Sequence, residues 1–210
     1  SKVFNYSDGS NLLPERMTIG GTGWDIHKTL PQEIEDCIPD YSLYKYKHSI
    51  GFTMRGCRFR CKFCVVPEKE GKPKPNNTID EIWTNRDSSF LVLLDNDFFG
   101  NPFWKKRIRE IKDYNLKVNF SQGLNIRIIT DEQAKALASV RYSTMSGKRK
   151  MVHFAWDRIF DEKLIDKGIQ KCLDNGLKAD QMSFYVLIGY DTTPEEDMYR
   201  VMKLRKYGCN

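Results

Sequence analysis

Three cysteines within eight residues, Cys57, Cys61 and Cys64 in the stretch MRGCRFRCKFC, carry the clearest chemistry in this 210-residue chain. A thiolate is a soft anionic ligand, so three of them on one loop at Cys-x3-Cys-x2-Cys spacing describe a metal site. A cubane iron–sulfur cluster ordinarily takes four protein thiolates. A local set of three leaves one iron open to a small-molecule ligand, the mark of a reactive cluster. Arg55, Arg58, Arg60 and Lys62 alternate with the thiols. Cations so placed are expected to lower the thiol pKa values and to offset the charge of thiolates and sulfides.

Two other readings use the same residues. A structural zinc wants a closed tetrahedral shell, and its fourth ligand would have to be Cys37, His48, Cys172 or Cys209, none at a short zinc-finger spacing. A plain electron carrier is expected to supply a nearby fourth cysteine. Either would make the chain a non-catalytic iron–sulfur or zinc-binding module. Six cysteines in 210 residues are sparse for a disulfide scaffold, so free thiols are expected.

The elements that must position the thiols begin at residue 49. Ser49 to Met54 reads as a strand feeding the cysteine loop. Phe90 to Leu94 is an apolar run suited to a parallel strand buried on both faces, and it ends in Asp95-Asn96-Asp97. Leu116 to Phe120, Met151 to Ala155 and Met182 to Ile188 read as three more strands, ending in Ser121-Gln122-Gly123, Trp156-Asp157 and Gly189-Tyr190-Asp191. Between them, Ile79 to Trp83 and Phe103 to Asp113 are helical. Thr130-x-x-Gln133 and Thr193-Pro194-Glu195-Glu196 are capping boxes, and Asp161 is expected to cap a helix that buries Ile165, Ile169, Cys172 and Leu173. Strand alternating with helix gives an α/β chain with a parallel sheet, whose carboxyl edge is where ligands bind.

Residues 1–48 form an irregular lead-in, with a glycine turn at Gly20-Gly21-Thr22-Gly23 and tyrosines at 41, 44 and 46. The turn is a weak phosphate signal. At 40% hydrophobic content the chain can bury a core, and no run approaches the ~20 apolar residues of a membrane span. A soluble, cytoplasmic protein is expected, with no membrane partner. Lys+Arg number 34 against 28 Asp+Glu, for a net charge of +6. The runs at Lys69, Lys72, Lys74 and at Lys148-Arg149-Lys150 read as solvated loops, and nucleic acid stays open as a partner.

The cysteine spacing, with the aromatic Phe63 before the last thiol, resembles the signature of the radical S-adenosylmethionine (radical SAM) superfamily. The resemblance covers about residues 49–210. It implies a [4Fe–4S] cluster on Cys57, Cys61 and Cys64, whose open iron chelates S-adenosylmethionine. That cofactor is then cleaved reductively to a 5′-deoxyadenosyl radical for hydrogen abstraction from a substrate not identified by the sequence. A flavodoxin, ferredoxin or other one-electron reductase is the implied partner. The implied fold is an incomplete (β/α) TIM-like barrel, with about five parallel βα units of a (β/α)6 partial barrel.

Residue by residue, Phe63 matches the aromatic whose backbone approaches the adenine. Asp95 and Asn96 stand where the superfamily receives the cofactor's amino group, although without the usual glycines. Gln122, Asn125 and Arg127 are implied for the ribose and carboxylate, with Ser121 an equal candidate. Gly189 matches the turn after the adenine-contacting strand. The lead-in LPQEIEDCIPDYSLY looks like that of radical SAM proteins that follow a flavodoxin-like amino-terminal domain. RNA- or protein-modifying methylthiotransferases share the plan, but Cys37 alone does not make their upstream cysteine domain. Asp25-Ile26-His27 begins like a cobalamin-binding motif, yet Leu30 replaces its glycine and that ligand is rejected. A sixth strand is expected beyond Gly208, the chain being read as truncated at its C-terminus.

Overall fold

The structure, a computed structural model, describes residues 21, 24–35, 37–41 and 47–210. Apart from Gly21, the glycine turn at 20–23 lies outside the described residues, as do Tyr44 and Tyr46. Among its described residues the lead-in contributes a short helix, α1 (Gln32–Glu35), with no buried residue.

The expected first strand is broken at Phe52. Its first half, β1 (Ser49–Gly51), pairs parallel with β4 (Phe90–Leu93). Its second half, β2 (Met54–Arg55), pairs antiparallel with β3 (Lys74–Pro75), so the cysteine loop is the connection of a small hairpin carrying α2 (Val66–Lys69). Next come α3 (Ile79–Ile82) and then β4, every residue of which is buried, as a strand flanked on both sides requires. α4 (Trp104–Asp113) leads to β5 (Lys117–Phe120), and α5 (Asp131–Ala138) to β6 (Arg141–Tyr142). After β7 (Val152–Trp156) follow α6 (Glu162–Asp174), β8 (Met182–Val186) and α7 (Pro194–Lys206).

Strands β1-β4-β5-β6 form a four-stranded parallel sheet, and β7-β8 a separate two-stranded parallel sheet. This corrects the expectation of about five βα units in an incomplete TIM-like barrel. Two local features account for the difference. The two-residue β6, invisible to any periodicity argument, takes the free edge of β5, with Lys117↔Arg141 and Val118↔Tyr142 in register. Past Phe120 the chain turns at Gly123 (φ +80°), and its link to β7 is the single bridge Leu124↔Phe154, with Leu124 N–H donating to the His153 carbonyl at 2.8 Å. The outer edge of β8 meets Asn210, whose N–H donates to the Met182 carbonyl (2.9 Å) and whose carbonyl accepts from Phe184 (2.8 Å).

Local signals are met where they are self-contained. Thr130 and Thr193 both close capping boxes, with Gln133 and Glu196. Ile165, Ile169 and Cys172 are buried on α6 as expected. Asp161 is a correction: its side chain caps nothing and instead accepts from Arg127 and Arg158. Among the described residues no helix is long and apolar enough to cross a membrane.

One glycine couples the core to the loop after β5. A Cβ on Gly168 of α6 would lie 2.3 Å from the Ile126 carbonyl oxygen and 2.7 Å from its side chain. Only a bare Cα lets α6 press against the 3-10 turn Ile126–Ile128, which carries Arg127. Gly168→Ala is therefore expected to destabilise the fold by about 1–3 kcal/mol through overpacking, read as a lower urea midpoint. An unchanged or raised midpoint would show that the helix and turn can part at no cost.

Candidate functional site

The cysteine loop is held from three sides by carboxylates. Glu70 accepts from Arg55 Nη2 at 2.9 Å and from the Gly56 N–H at 2.8 Å. Gly56 sits at φ +78°, with a Cβ position only 2.5 Å from the Lys72 carbonyl oxygen, so the loop can start there only on a glycine. Asp97, at the exit of β4, takes the Arg58 guanidinium in a two-pronged pair at 2.6 and 2.9 Å. Asp95, 4% exposed, accepts from Thr53 N–H (3.2 Å) and Thr53 Oγ1–H (2.7 Å), tying the break between β1 and β2 to β4. Within the loop, Cys64 N–H donates to the Cys61 carbonyl at 3.0 Å.

The three thiols share one cavity of about 270 Å³. Its wall also includes Phe63 and Val66 from the loop, Asn96 after β4, Gln122, Asn125 and Arg127 after β5, and Ala155 and Asp157 from the end of β7. The carboxyl edges of three parallel strands thus converge on the cysteines, as the fold logic requires. Arg127 is fixed in place: Nη1 donates to Asp161 at 3.0 Å, Nε donates to Asn125 Oδ1 at 3.2 Å, and the guanidinium lies 5.3 Å from the Phe59 ring centre.

A second cavity of about 390 Å³ adjoins the first, sharing Cys61, Phe63 and Asp157 with it. Arg60, Lys62, Arg158 and Phe160 line one side, and Tyr190, Asp191 and Thr192 the other. Phe63 stands between the two spaces, edge-on to Tyr190 at 5.3 Å.

Of the residues singled out from sequence, Cys57, Cys61, Cys64, Phe63, Asn96, Gln122, Asn125 and Arg127 line the first cavity, while Asp95, Ser121 and Gly189 do not. Asp95 is engaged with Thr53. Gly189 (φ +73°) makes the turn after β8 and donates its N–H to Asp197 Oδ2 at 2.9 Å. Asp157, Asp97, Glu70 and Asp161 were missed as site residues. Asp157 sits at a strand exit and was findable by that rule; burial, more than the Arg127 and Arg200 charges can offset, pushes its carboxyl above the usual range. The carboxylates that grip the loop announce themselves only through their partners.

The expected lowering of thiol pKa by the interleaved cations is also corrected. Arg55 and Arg58 are paired with Glu70 and Asp97. Burial pushes the Cys57 thiol up to about 11, against the Phe59 N–H that donates to its sulfur at 3.4 Å. A bound metal would deprotonate a coordinating Cys57 thiol outright.

Among the described residues no group of three or more His, Cys, Asp or Glu side chains is arranged to hold a metal ion. Cys37, His48, Cys172 and Cys209, the residues considered from sequence as a fourth zinc ligand, do not line the thiol cavity. No family model matches the chain, and a search of curated proteins finds no match.

The geometry of Asp95 makes a pH prediction. Burial pushes its carboxyl up to about 6, against the lowering effect of the bonds from Thr53. The unfolded value is about 3.9. Between about pH 4 and pH 6 the folded chain therefore binds the extra proton, and this residue's contribution to stability falls as pH rises. Asp95→Asn removes the titration. Its stability relative to wild type is expected to improve by on the order of 2 kcal/mol between about pH 4 and pH 7, measured by urea unfolding. A difference that stays flat with pH would contradict the assignment.

Proposed function

We propose that this chain is an iron–sulfur enzyme of the radical SAM type. Cys57, Cys61 and Cys64 would hold a [4Fe–4S] cluster whose open iron takes the amino and carboxylate groups of S-adenosylmethionine. When bound and reduced by one electron from a flavodoxin-, ferredoxin- or reductase-type donor, the group would supply reductive cleavage of S-adenosylmethionine for hydrogen abstraction from a substrate. The observation that carries this reading is the single cavity that joins all three thiols to the polar residues leaving β4 and β5.

The protein's own residues supply position and charge. Arg127, held by Asp161 and Asn125, presents a fixed cation at the cavity wall, suited to a carboxylate. Asn96 and Gln122 offer amide donors and acceptors on the same wall. Asp157 places a carboxyl where the two cavities meet, and Phe63 with Tyr190 forms an apolar partition beside it.

After anaerobic loading with iron and sulfide, the chain is expected to release 5′-deoxyadenosine from S-adenosylmethionine when dithionite is added. Cys57→Ala, Cys61→Ala and Cys64→Ala should each lose both iron and product. Cys37→Ala, Cys172→Ala and Cys209→Ala should keep the iron. Loss of iron in any of the latter three, or zinc at one per chain with no cofactor cleavage, would overturn the proposal.

A further inference from the structure

The amino edge of the four-stranded sheet carries a second chemical surface, at the opposite ends of the strands from the thiols. Lys117 opens β5 and Arg141 opens β6, and they face each other in register. The segment Ser143 to Lys150 folds back over this edge. Lys117 Nζ donates to the Gly147 carbonyl at 3.0 Å, and a Cβ on Gly147 would come within 3.3 Å of the ring of Phe90, the first residue of β4.

This segment has its own internal bonds. Thr144 N–H donates to the Arg149 carbonyl (2.9 Å), Gly147 N–H to the Thr144 carbonyl (2.8 Å) and Ser143 Oγ–H to the Arg149 carbonyl (3.1 Å). The result is a depression of about 300 Å³ lined by Lys117, Arg141, Lys148, Arg149 and Lys150 and by no carboxylate. Four of these cations, all but Lys117, are exposed. None of the five forms an ion pair among the described residues, whereas Arg55, Arg58, Arg107, Arg127 and Arg200 all do.

We propose that this edge binds the sugar–phosphate backbone of a nucleic-acid duplex. Five uncompensated cations on an ordered edge suit a row of phosphates, each contact releasing a counterion. The one aromatic in the depression, Tyr142, is 3% exposed and its hydroxyl donates to Gln181 at 2.8 Å. It offers no face for stacking a base, which single-strand binders use, so the contact is to backbone rather than to base. An acidic electron donor would instead have to approach the thiols, at the other edge of the sheet. This proposal is independent of the cluster chemistry.

The test compares the intact chain with the triple variant Lys148→Gln/Arg149→Gln/Lys150→Gln, in which only exposed side chains change. Binding of labelled RNA and DNA duplexes is followed by fluorescence anisotropy across a salt series. Wild-type affinity is expected to fall about 40- to 500-fold between about 50 and 200 mM salt, as three to five phosphate contacts require, and the variant's only about tenfold. The variant should also bind more weakly at low salt, while Arg109→Gln/Lys112→Gln on α4 should bind as wild type. Preference for one duplex would identify the source; equal binding would leave the shared backbone as the ligand. The proposal fails if no duplex binds, if the triple variant keeps wild-type affinity and salt slope, if single strands bind more tightly, or if only acidic proteins are bound.

Discussion

The Arg58–Asp97 pair fixes the relation between the cysteine loop and the sheet. Arg58 lies between the first two thiols, and its guanidinium meets Asp97 at 2.6 and 2.9 Å just past β4. Asp97 is 4% exposed, and the pair gives this buried side chain its hydrogen-bonding partner. The contact is close enough to dictate a neighbour: a Cβ on Gly100 would lie 2.3 Å from Asp97 Oδ2. Glu70 and Asp95 repeat the arrangement at Gly56 and Thr53. The carboxylates nearest the loop are thus engaged in holding its backbone. The cavity wall is left to the three thiols, the amides of Asn96, Gln122 and Asn125, the Arg127 guanidinium and the Asp157 carboxyl.

This division explains how far the sequence could be read. The thiol loop, the strand exits and the capping boxes at Thr130 and Thr193 depend on residues close together in the chain, and spacing alone locates them. Cys57, Cys61, Cys64, Asn96, Gln122, Asn125 and Arg127 meet at one cavity for that reason. Asp95 was misplaced because a carboxylate at a strand exit can face the ligand or the backbone, and the choice rests on Thr53, 42 residues away. Asp161, expected to cap α6, went to Arg127 by the same kind of non-local pairing. The incomplete barrel expected from repeated βα units failed at Arg141–Tyr142, two residues whose pairing with β5 has no periodicity to betray it. Gly168 shows the same limit, since only the approach of Ile126 explains why α6 needs a glycine there.

The two edges of the sheet differ in how their charges are treated. At the carboxyl edge Arg55, Arg58, Arg127 and Arg158 are each paired with a carboxylate, leaving a site whose electrostatics await a bound group. At the amino edge Lys117, Arg141, Lys148, Arg149 and Lys150 form no ion pair among the described residues.

The central claim is that three thiols around one cavity leave one iron of a cluster without a protein ligand. Mössbauer spectroscopy of the iron-loaded chain, before and after adding S-adenosylmethionine, tests this most directly. The account predicts four irons per chain, one of which separates from the other three when the cofactor binds. Four irons that stay indistinguishable, or a chain that retains zinc in their place, would contradict it.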